Sequence, residues 1–440
     1  MKLFPKDFLF GAATSAYQIE GAAFTDGRGK TSWDLHNHDE QGNPTGDVGD
    51  VACDHYHRYP KDINLMKTLG LQTYRFSISW TRIYPNGFGE INPKGVAFYQ
   101  DLITKLLEAG IEPAITIWHG DLPLALDHIG GWQNRDTIKH YLNYANTLFT
   151  LYGDRVKVWF THNEPWCAAF LNDLPMGQQL QIAHHLMYAH AKAVEHYRKH
   201  PNGTGKIGIV LNLGKQYPHT QDPKDVQAAK HIDGFINRWF LDPTILGTYP
   251  EDMIRLYQQH DIHFVIEPQD MTIIKQHKMD FLGINMYSRG IQAYHPEGIF
   301  KASGVRNPAA LYTAMDWEVC SESLYDLLID IKHNYHNIEV IIAENGAAFE
   351  DTVSPDGQIH DHHRVAYLKD HIEAVYRAIL EGCHVTRYYA WSLFDNFEWG
   401  LGYSKRFGII RVDYDTLKRT IKDSGYAYQQ IIQSRGITKP

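Results

Sequence analysis

Short apolar runs alternate along the chain with longer stretches in which apolar residues recur every third or fourth position. The runs predict strands at residues 8–13, 73–79, 111–117, 157–161, 206–212, 281–287, 339–343 and 385–391. The longer stretches predict helices, most clearly around residues 96–107 and 365–379. The chain is therefore predicted to consist of eight successive β/α units.

The predicted strands are apolar almost without interruption, which indicates burial on both faces, as in a parallel sheet. Eight β/α units predict an α/β fold, a single (β/α)8 TIM barrel with extended βα loops at its C-terminal face. A doubly wound open sheet is the alternative, but no Gly-x-Gly-x-x-Gly motif follows the first strand. The length of 440 residues would suit roughly three average domains. No linker divides the chain, so one catalytic domain over residues 1–440 is predicted.

The composition argues against some classes of binding partner. Lys and Arg number 42 and Asp and Glu 51, and the resulting charge of −9 argues against nucleic acid and anionic membranes. No run approaches the roughly 18 apolar residues of a membrane span, and no signal-type segment opens the chain. The four cysteines form no Cys-x-x-Cys pair and are predicted to be thiols in a reducing compartment. We therefore expect a cytoplasmic protein with a small-molecule ligand.

Polar residues gather where the predicted strands end, which is where a barrel of this kind carries its active site. They are Arg75 in strand two, His119 and Asp121 after strand three, Asn163 and Glu164 after strand four, Asn285 and Tyr287 in strand six, Glu344 and Asn345 after strand seven, and Trp391, Asp395, Glu398 and Trp399 in and after strand eight. So many polar groups around one barrel mouth predict an enzyme.

Glu164 and Glu344 follow strands that lie across the ring from each other, so both carboxyls can point into one pocket. A carboxyl pair is what cleavage of a glycosidic bond requires, because one acid protonates the leaving oxygen and one carboxylate supports the positive charge at the anomeric carbon. Arg75 would hold one of the two carboxylates ionised. Glu164, beside Pro165 and Trp166, suits the drier setting of a protonated acid.

Six segments then carry a resemblance to a known family. They are FLFGAATSAYQIEG (8–21), YRFSISWTRIYP (74–85), HGDLP (119–123), THNEPWC (161–167), IAENG (342–346) and WSLFDNFEWGLGYSKRFG (391–408). With these motifs the sequence resembles glycoside hydrolase family 1, the β-glucosidase family, over nearly its whole length.

The resemblance implies roles for individual residues. Glu164 would be the general acid/base and Glu344 the nucleophile, with Arg75, Tyr287 and Asn285 supporting the nucleophile. The substrate-binding residues would be Gln18, His119, Asn163, Trp317, Trp391, Glu398, Trp399 and Phe407, of which Trp317 would face the aglycone.

The implied reaction is retaining double displacement on a small β-glycoside, with no metal and no organic cofactor. Terminal β-D-glucosyl residues are the expected substrate, with galactosyl and fucosyl residues as open alternatives, and an acceptor other than water would give transglycosylation. The oligomeric state is not readable from the sequence.

The chain departs from the family pattern at a few positions. Gly120 stands where the family usually has Trp, so either the pocket is wider there or another ring fills the space. The segment 172–177 is shorter than usual before a helix expected at about Gln179, and His162 stands where an apolar residue is common. The histidines near residues 53–57, 184–185 and 360–363 fit no zinc-ligand spacing and are predicted to be structural.

Two other functions compete with this interpretation. A 6-phospho-β-glycosidase shares the fold and both glutamates, but a carboxylate at Glu398 would repel a phosphate dianion. A non-catalytic sugar-binding relative should have lost one of the two glutamates, and both are present.

Overall fold

The computed structural model describes residues 2–39 and 43–437. Eight parallel strands form a closed barrel: Leu9–Ala13, Thr73–Ser77, Glu112–Trp118, Val158–Asn163, Lys206–Asn212, Phe281–Asn285, Glu339–Asn345 and Val385–Trp391. Each pairs with the strand before and after it, and the eighth pairs with the first. The predicted (β/α)8 barrel is confirmed, with strand bounds that differ from the predicted ones by a few residues.

Helices cover the outside of the barrel. The longer ones are His55–Leu69, Pro93–Glu108, Asp136–Tyr152, Met176–Lys199, Pro223–Asp233, Glu251–Gln259, Ser321–Asn334, His362–Leu380 and Asp423–Ser434. Shorter helices include Ala16–Ile19, Ser32–His38, Trp80–Ile83, Leu124–Asp127, Pro165–Phe170 and Asp270–Gln276. The helix expected at about Gln179 begins earlier, at Met176.

Three small sheets lie outside the barrel. One joins Gln216–Pro218, Gly290–Tyr294 and Ala302–Gly304, and one joins Lys2–Leu3 to Gly436–Ile437. The third is an antiparallel pair of Ile410–Val412 and Arg419–Ile421, which follows the long loop after the eighth strand. In the described part of the chain, no helix combines the length and apolarity needed to cross a membrane.

The strands are buried on both faces, as their apolar runs predicted. Phe160, Phe281 and Ile341 belong to a core inside the barrel, whereas Trp159 and Ile342 belong to the larger core between barrel and helices. Each strand therefore alternates between two apolar environments, with a period of two residues. The lumen is therefore a packed interior, as the fold predicts.

Buried charges tie the loop after the eighth strand to the C-terminal helix. The Lys422 ammonium lies 2.7 Å from an oxygen of Asp395 and also contacts Asp351, and all three side chains are fully buried. Arg364 binds Asp351, while Arg406 binds Asp395 at 2.7 Å. These pairs fix residues 395–408 against the barrel, since a buried charge that lost its partner would cost about 3–5 kcal/mol.

Candidate active site

The predicted site residues gather at the carboxyl ends of the barrel strands. Arg75 lies inside the second strand, and the others lie at strand ends or on the loops that follow. Gln18 lies on the short helix Ala16–Ile19, and Trp399 begins a short 3-10 turn. Glu164 and Trp399 both have left-handed backbone, with φ of 48° and 47°. Such backbone costs a non-glycine residue about 1–3 kcal/mol and is concentrated at functional sites.

Two β-bulges aim the glutamates into the pocket. The register of the fourth strand shifts between Phe160 and Asn163, so that Thr161 and His162 both face the surrounding helices and Asn163 turns inward. A bulge places two residues where the partner strand has one, and this resets the alternation of side chains.

The seventh strand carries the second bulge, between Ile342 and Asn345. Ala343 faces the lumen, and Glu344 also points inward, where it meets Arg75. Asn345 faces outward and binds Tyr367 and Tyr388. Without the bulge, Glu344 would face the helices instead of the pocket.

The Glu344 carboxylate is held by two donors. Arg75 Nη1 donates to Oε1 at 2.7 Å, and the Tyr287 hydroxyl donates to Oε2 at 2.6 Å. Arg75 is itself fully buried, and it is fixed by Thr116 at 3.1 Å and Asn163 at 2.7 Å. The arrangement leaves the carboxyl group little rotational freedom.

Burial is the largest influence on the ionisation of Glu344. It raises the pKa of Glu344 to about 7, Arg75 opposes this shift, and the charge of Glu164 adds to it. Arg75 therefore acts in the expected direction, toward the ionised form of Glu344, but burial outweighs it. When Glu164 carries a proton its repulsion disappears, and the contributions of Arg75 and Tyr287 then favour the ionised form of Glu344.

The Glu164 carboxyl accepts hydrogen bonds from two uncharged donors. Asn285 Nδ2 donates to Oε1 at 2.7 Å, and the Cys167 thiol donates to Oε2 at 3.1 Å. Asn285 also donates to Asn163, at 3.0 Å. Asn285 is the last residue of the sixth strand, and its side chain contacts Glu164. The prediction that Asn285 supports the nucleophile is therefore corrected. Cys167 was missed, although its position three residues after Glu164 on a helix was a signal.

A second group of polar side chains lies across the pocket. Gln18 Nε2 donates to Asn396 Oδ1 at 3.1 Å and lies 3.4 Å from Glu398 Oε2. Burial, with the charges of Glu344 and Glu164, raises the pKa of Glu398 to about 8. His119 Nε2 contacts Asn163 at 3.0 Å, and burial lowers the pKa of His119 well below its usual value, so the ring is neutral. These groups offer both donors and acceptors to a polyhydroxylated ligand.

Aromatic rings form one wall of the pocket. Trp399 stacks on Tyr17, with ring centres 6.0 Å apart and planes at 9°, and it packs against Trp33 at 4.9 Å. His119 lies between Trp399 and Trp391, 6.1 Å from each. A Cβ atom added to Gly120 would meet Cη2 of Trp399 at 3.5 Å. The ring of Trp399 therefore lies against Gly120, which favours the second of the two readings of this position, that another ring fills the space.

Replacement of Gly120 by Trp is expected to lower kcat/KM for an aryl β-glucoside by about 10- to 100-fold, because a new indole would displace Trp399 from its stack. The substitution also strains the backbone, since φ at Gly120 is +83°. Gly110→Trp is the matched control, because φ there is +73° and no atom lies within 4 Å of an added Cβ. Steady-state kinetics of both variants check this, and an unchanged kcat/KM in Gly120→Trp would contradict it.

The opposite wall is built from a second aromatic group. Trp317 is half-buried, and its ring centre lies 5.1 Å from that of Tyr287 and 6.1 Å from that of Phe407. Phe407 is only 2% exposed. Phe407 therefore supports the ring of Trp317 from beneath, and Trp317 presents the accessible face.

Other polar residues at the rim stabilise the fold through ion pairs and hydrogen bonds. Asp395 belongs to the buried ion pairs with Lys422 and Arg406, and Asn345 binds the tyrosines of the outer core. The histidine clusters are also explained by local partners: His55 binds Asp62, His184 binds Asp270, and His360 binds Asp423. Within residues 2–39 and 43–437, no three His, Cys, Asp or Glu side chains are arranged to hold a metal ion.

Known proteins resemble this chain over its whole length. The model of Glycosyl hydrolase family 1 matches residues 1–437. Beta-glucosidase A of Acetivibrio thermocellus is 44% identical, over 98% of this chain and 99% of the relative. The 6-phospho-beta-glucosidase GmuD of Bacillus subtilis is 38% identical, over 98% of each.

Solved structures agree with the sequence matches. A beta-glucosidase from Thermotoga maritima in complex with glucoimidazole superposes with a TM-score of 0.95 at 44% identity, over 99% of this chain and 100% of that one. A match of this extent in both sequence and fold establishes the family. The chain belongs to Glycosyl hydrolase family 1.

Proposed function

We propose that this glycoside hydrolase is a retaining β-glucosidase that releases terminal non-reducing β-D-glucosyl residues by double displacement. The observation that carries the proposal is the different setting of the two carboxyls. Glu344 lies between a guanidinium and a phenol, at 2.7 Å and 2.6 Å, whereas Glu164 contacts an amide and a thiol. One group is equipped to bear negative charge as a nucleophile, and the other to hold and return a proton.

In the first step an oxygen of Glu344 forms a bond to the anomeric carbon while the bond from that carbon to the aglycone oxygen breaks. The proton of Glu164 passes to the departing oxygen. In the second step Glu164, now a carboxylate, takes a proton from water, whose oxygen displaces Glu344 from the same carbon. Two inversions restore the β-configuration, so the product is β-glucose.

The remaining site residues divide between the two halves of the substrate. Gln18, Glu398, His119 and Asn163 would bind the hydroxyls of the glucosyl ring, and Trp391 and Trp399 would cover its apolar face. Trp317, resting on Phe407, would take the aglycone. The inhibitor complexes of the Thermotoga maritima relative support a sugar-sized ligand in this pocket.

The domain and location predictions also stay proposals. One catalytic domain is supported by the buried charges that join the C-terminal helix to the barrel. A reducing, cytoplasmic compartment is supported by the four cysteines of the described chain, all of which are free thiols.

The chief alternative is a 6-phospho-β-glycosidase. The charged groups that act on the pKa of Glu398 are two further carboxyls, Glu344 and Glu164, and no cation is among them. A phosphate dianion bound there would lose its hydration without gaining a counter-charge, so kcat/KM should favour p-nitrophenyl β-D-glucoside over its 6-phosphate by at least about 100-fold.

Parallel kinetics with the two substrates test the proposed substrate. Glu398→Ser should narrow the ratio, because it replaces one of these three carboxyls by a hydroxyl that can donate to a phosphate oxygen. Faster hydrolysis of the 6-phosphate by the unmodified enzyme would refute the β-glucosidase assignment and establish the alternative.

A further inference from the structure

The two oxygens of Glu164 have partners of different chemical character. Oε1 accepts from the Asn285 amide nitrogen, which is a donor and nothing else, at 2.7 Å. Oε2 lies 3.1 Å from Cys167 Sγ, and a thiol is both a weak donor and a weak acceptor. Cys167 can therefore form a hydrogen bond with Oε2 whether or not Oε2 carries a proton. Asn285 can only donate, so it bonds to Oε1 when Oε1 carries no proton.

This difference fixes the position of the acid proton. A proton on Oε1 would point at the Asn285 N–H and break that hydrogen bond, so the proton belongs on Oε2. There it faces Cys167 Sγ, which can accept it. Loss of the proton reverses the direction of the contact, because the thiol then donates to the carboxylate.

We propose that Cys167 is a positioning residue that holds Oε2 of Glu164 in both protonation states and so makes Oε2 the oxygen that delivers and recovers the proton. The proposal rests on the assignment of Glu164 as acid/base. It requires the thiol to keep its own proton at neutral pH. Burial, followed by the nearby charge of Glu164, raises the pKa of Cys167 well above its usual value, so the thiol meets this requirement.

Several titratable or charged groups surround Glu164. They are Glu344 and Tyr287, whose ionisation responds to Glu164, together with Glu398, Arg75 behind Glu344, and His119 just after the third strand. A change at Cys167 leaves all of them in place. If the pH profile shifts in a direction that depends on whether the side chain at residue 167 can donate a hydrogen bond, the shift is therefore attributable to the contact with Oε2.

Serine and alanine at residue 167 should act in opposite directions. A hydroxyl is a stronger donor than a thiol and favours the ionised form of Glu164, so Cys167→Ser should move the basic limb of the kcat/KM profile to lower pH. Cys167→Ala removes the donor and should move that limb to higher pH. Each shift should be about half a pH unit, as expected for the gain or loss of a weak charge-assisted hydrogen bond.

Cys383 provides the matched control. Its thiol also donates a hydrogen bond, to the Leu328 carbonyl at 3.5 Å, but it is buried just before the eighth strand, at the opposite end of the barrel. Cys383→Ser and Cys383→Ala should leave both limbs of the profile unchanged. Thermal unfolding of all four variants separates loss of fold from loss of positioning.

The experiment measures kcat/KM against pH for p-nitrophenyl β-glucoside with wild type and the four variants. Opposite shifts of the basic limb in the two Cys167 variants support the proposal. Shifts in the same direction, no shift, or equal shifts in the Cys383 variants overturn it. If the 6-phosphate proves to be the substrate, the β-glucoside assignment fails, and the profile measured with the phosphate still decides the role of Cys167.

Discussion

Glu344→Gln is expected to lower kcat for β-glucosides by about four orders of magnitude or more, the scale on which removal of a catalytic nucleophile acts in other hydrolases. The amide keeps the size of the carboxylate, its oxygen can still accept from Arg75, and its nitrogen can donate to the Tyr287 hydroxyl, so the fold should survive. It lacks the negative oxygen that must bond to the anomeric carbon. Steady-state kinetics and thermal unfolding measure the two effects separately.

Glu339→Gln is the matched control, because Glu339 begins the same strand at the far end of the barrel, where it binds Lys206 and Thr386. Its kcat should stay within about twofold of wild type, in line with the small effect of changes away from a site. Glu344→Ala with added azide should form the α-glucosyl azide, since the anion enters the space of the lost carboxylate. Persistent activity in Glu344→Gln would overturn the nucleophile assignment and favour a different carboxyl.

Glu164→Ala is expected to affect substrates unequally. For aglycones that leave poorly, such as alkyl alcohols, kcat/KM should fall by about 100- to 10,000-fold, the usual contribution of general acid catalysis. For 2,4-dinitrophenyl β-glucoside the first step needs no proton, so kcat/KM should change little. The second step then loses its base, and the glucosyl-enzyme should accumulate as a burst of dinitrophenol.

Azide should restore turnover of Glu164→Ala and give the β-glucosyl azide, the configuration opposite to that from Glu344→Ala. The pair of azide products thus assigns the two glutamates to opposite faces of the sugar. An equal loss of kcat/KM on alkyl and dinitrophenyl substrates would contradict the acid role of Glu164. α-Configured azide from this variant would contradict its placement.

The barrel was predictable because its strands are apolar almost without interruption, and burial on both faces leaves little other choice. The inward direction of Glu344 was not predictable in the same way. Strict alternation with Ile341 and Ala343 in the lumen would have turned Glu344 toward the helices. A bulge changes this, and its place depends on pairing with strands far away in the sequence.

The motifs indicated which residues meet at the mouth of the barrel, but they indicated less well which groups each of these residues contacts. Asn285 contacts Glu164 instead of Glu344, and Asp395 lies in an ion-pair network with Lys422. Which groups meet Asn285 and Asp395 depends on how the loops close over the strand ends. Cys167 shows a different case, since its spacing from Glu164 is visible in the sequence, whereas the contact of its thiol with Oε2 is not.

Because of the buried ion pairs around Lys422, the two sides of the pocket should differ in how well they tolerate substitutions. The loop that carries Glu398, Trp399 and Phe407 is fastened through Asp395 to the C-terminal helix, so a substitution there disturbs charges that water cannot reach. The loop that carries Trp317 is held by neighbouring rings and by the ion pair of Glu318 with Arg289, whose side chain keeps 21% exposure. Substitutions around Trp317 should therefore be tolerated more readily than substitutions in residues 395–408.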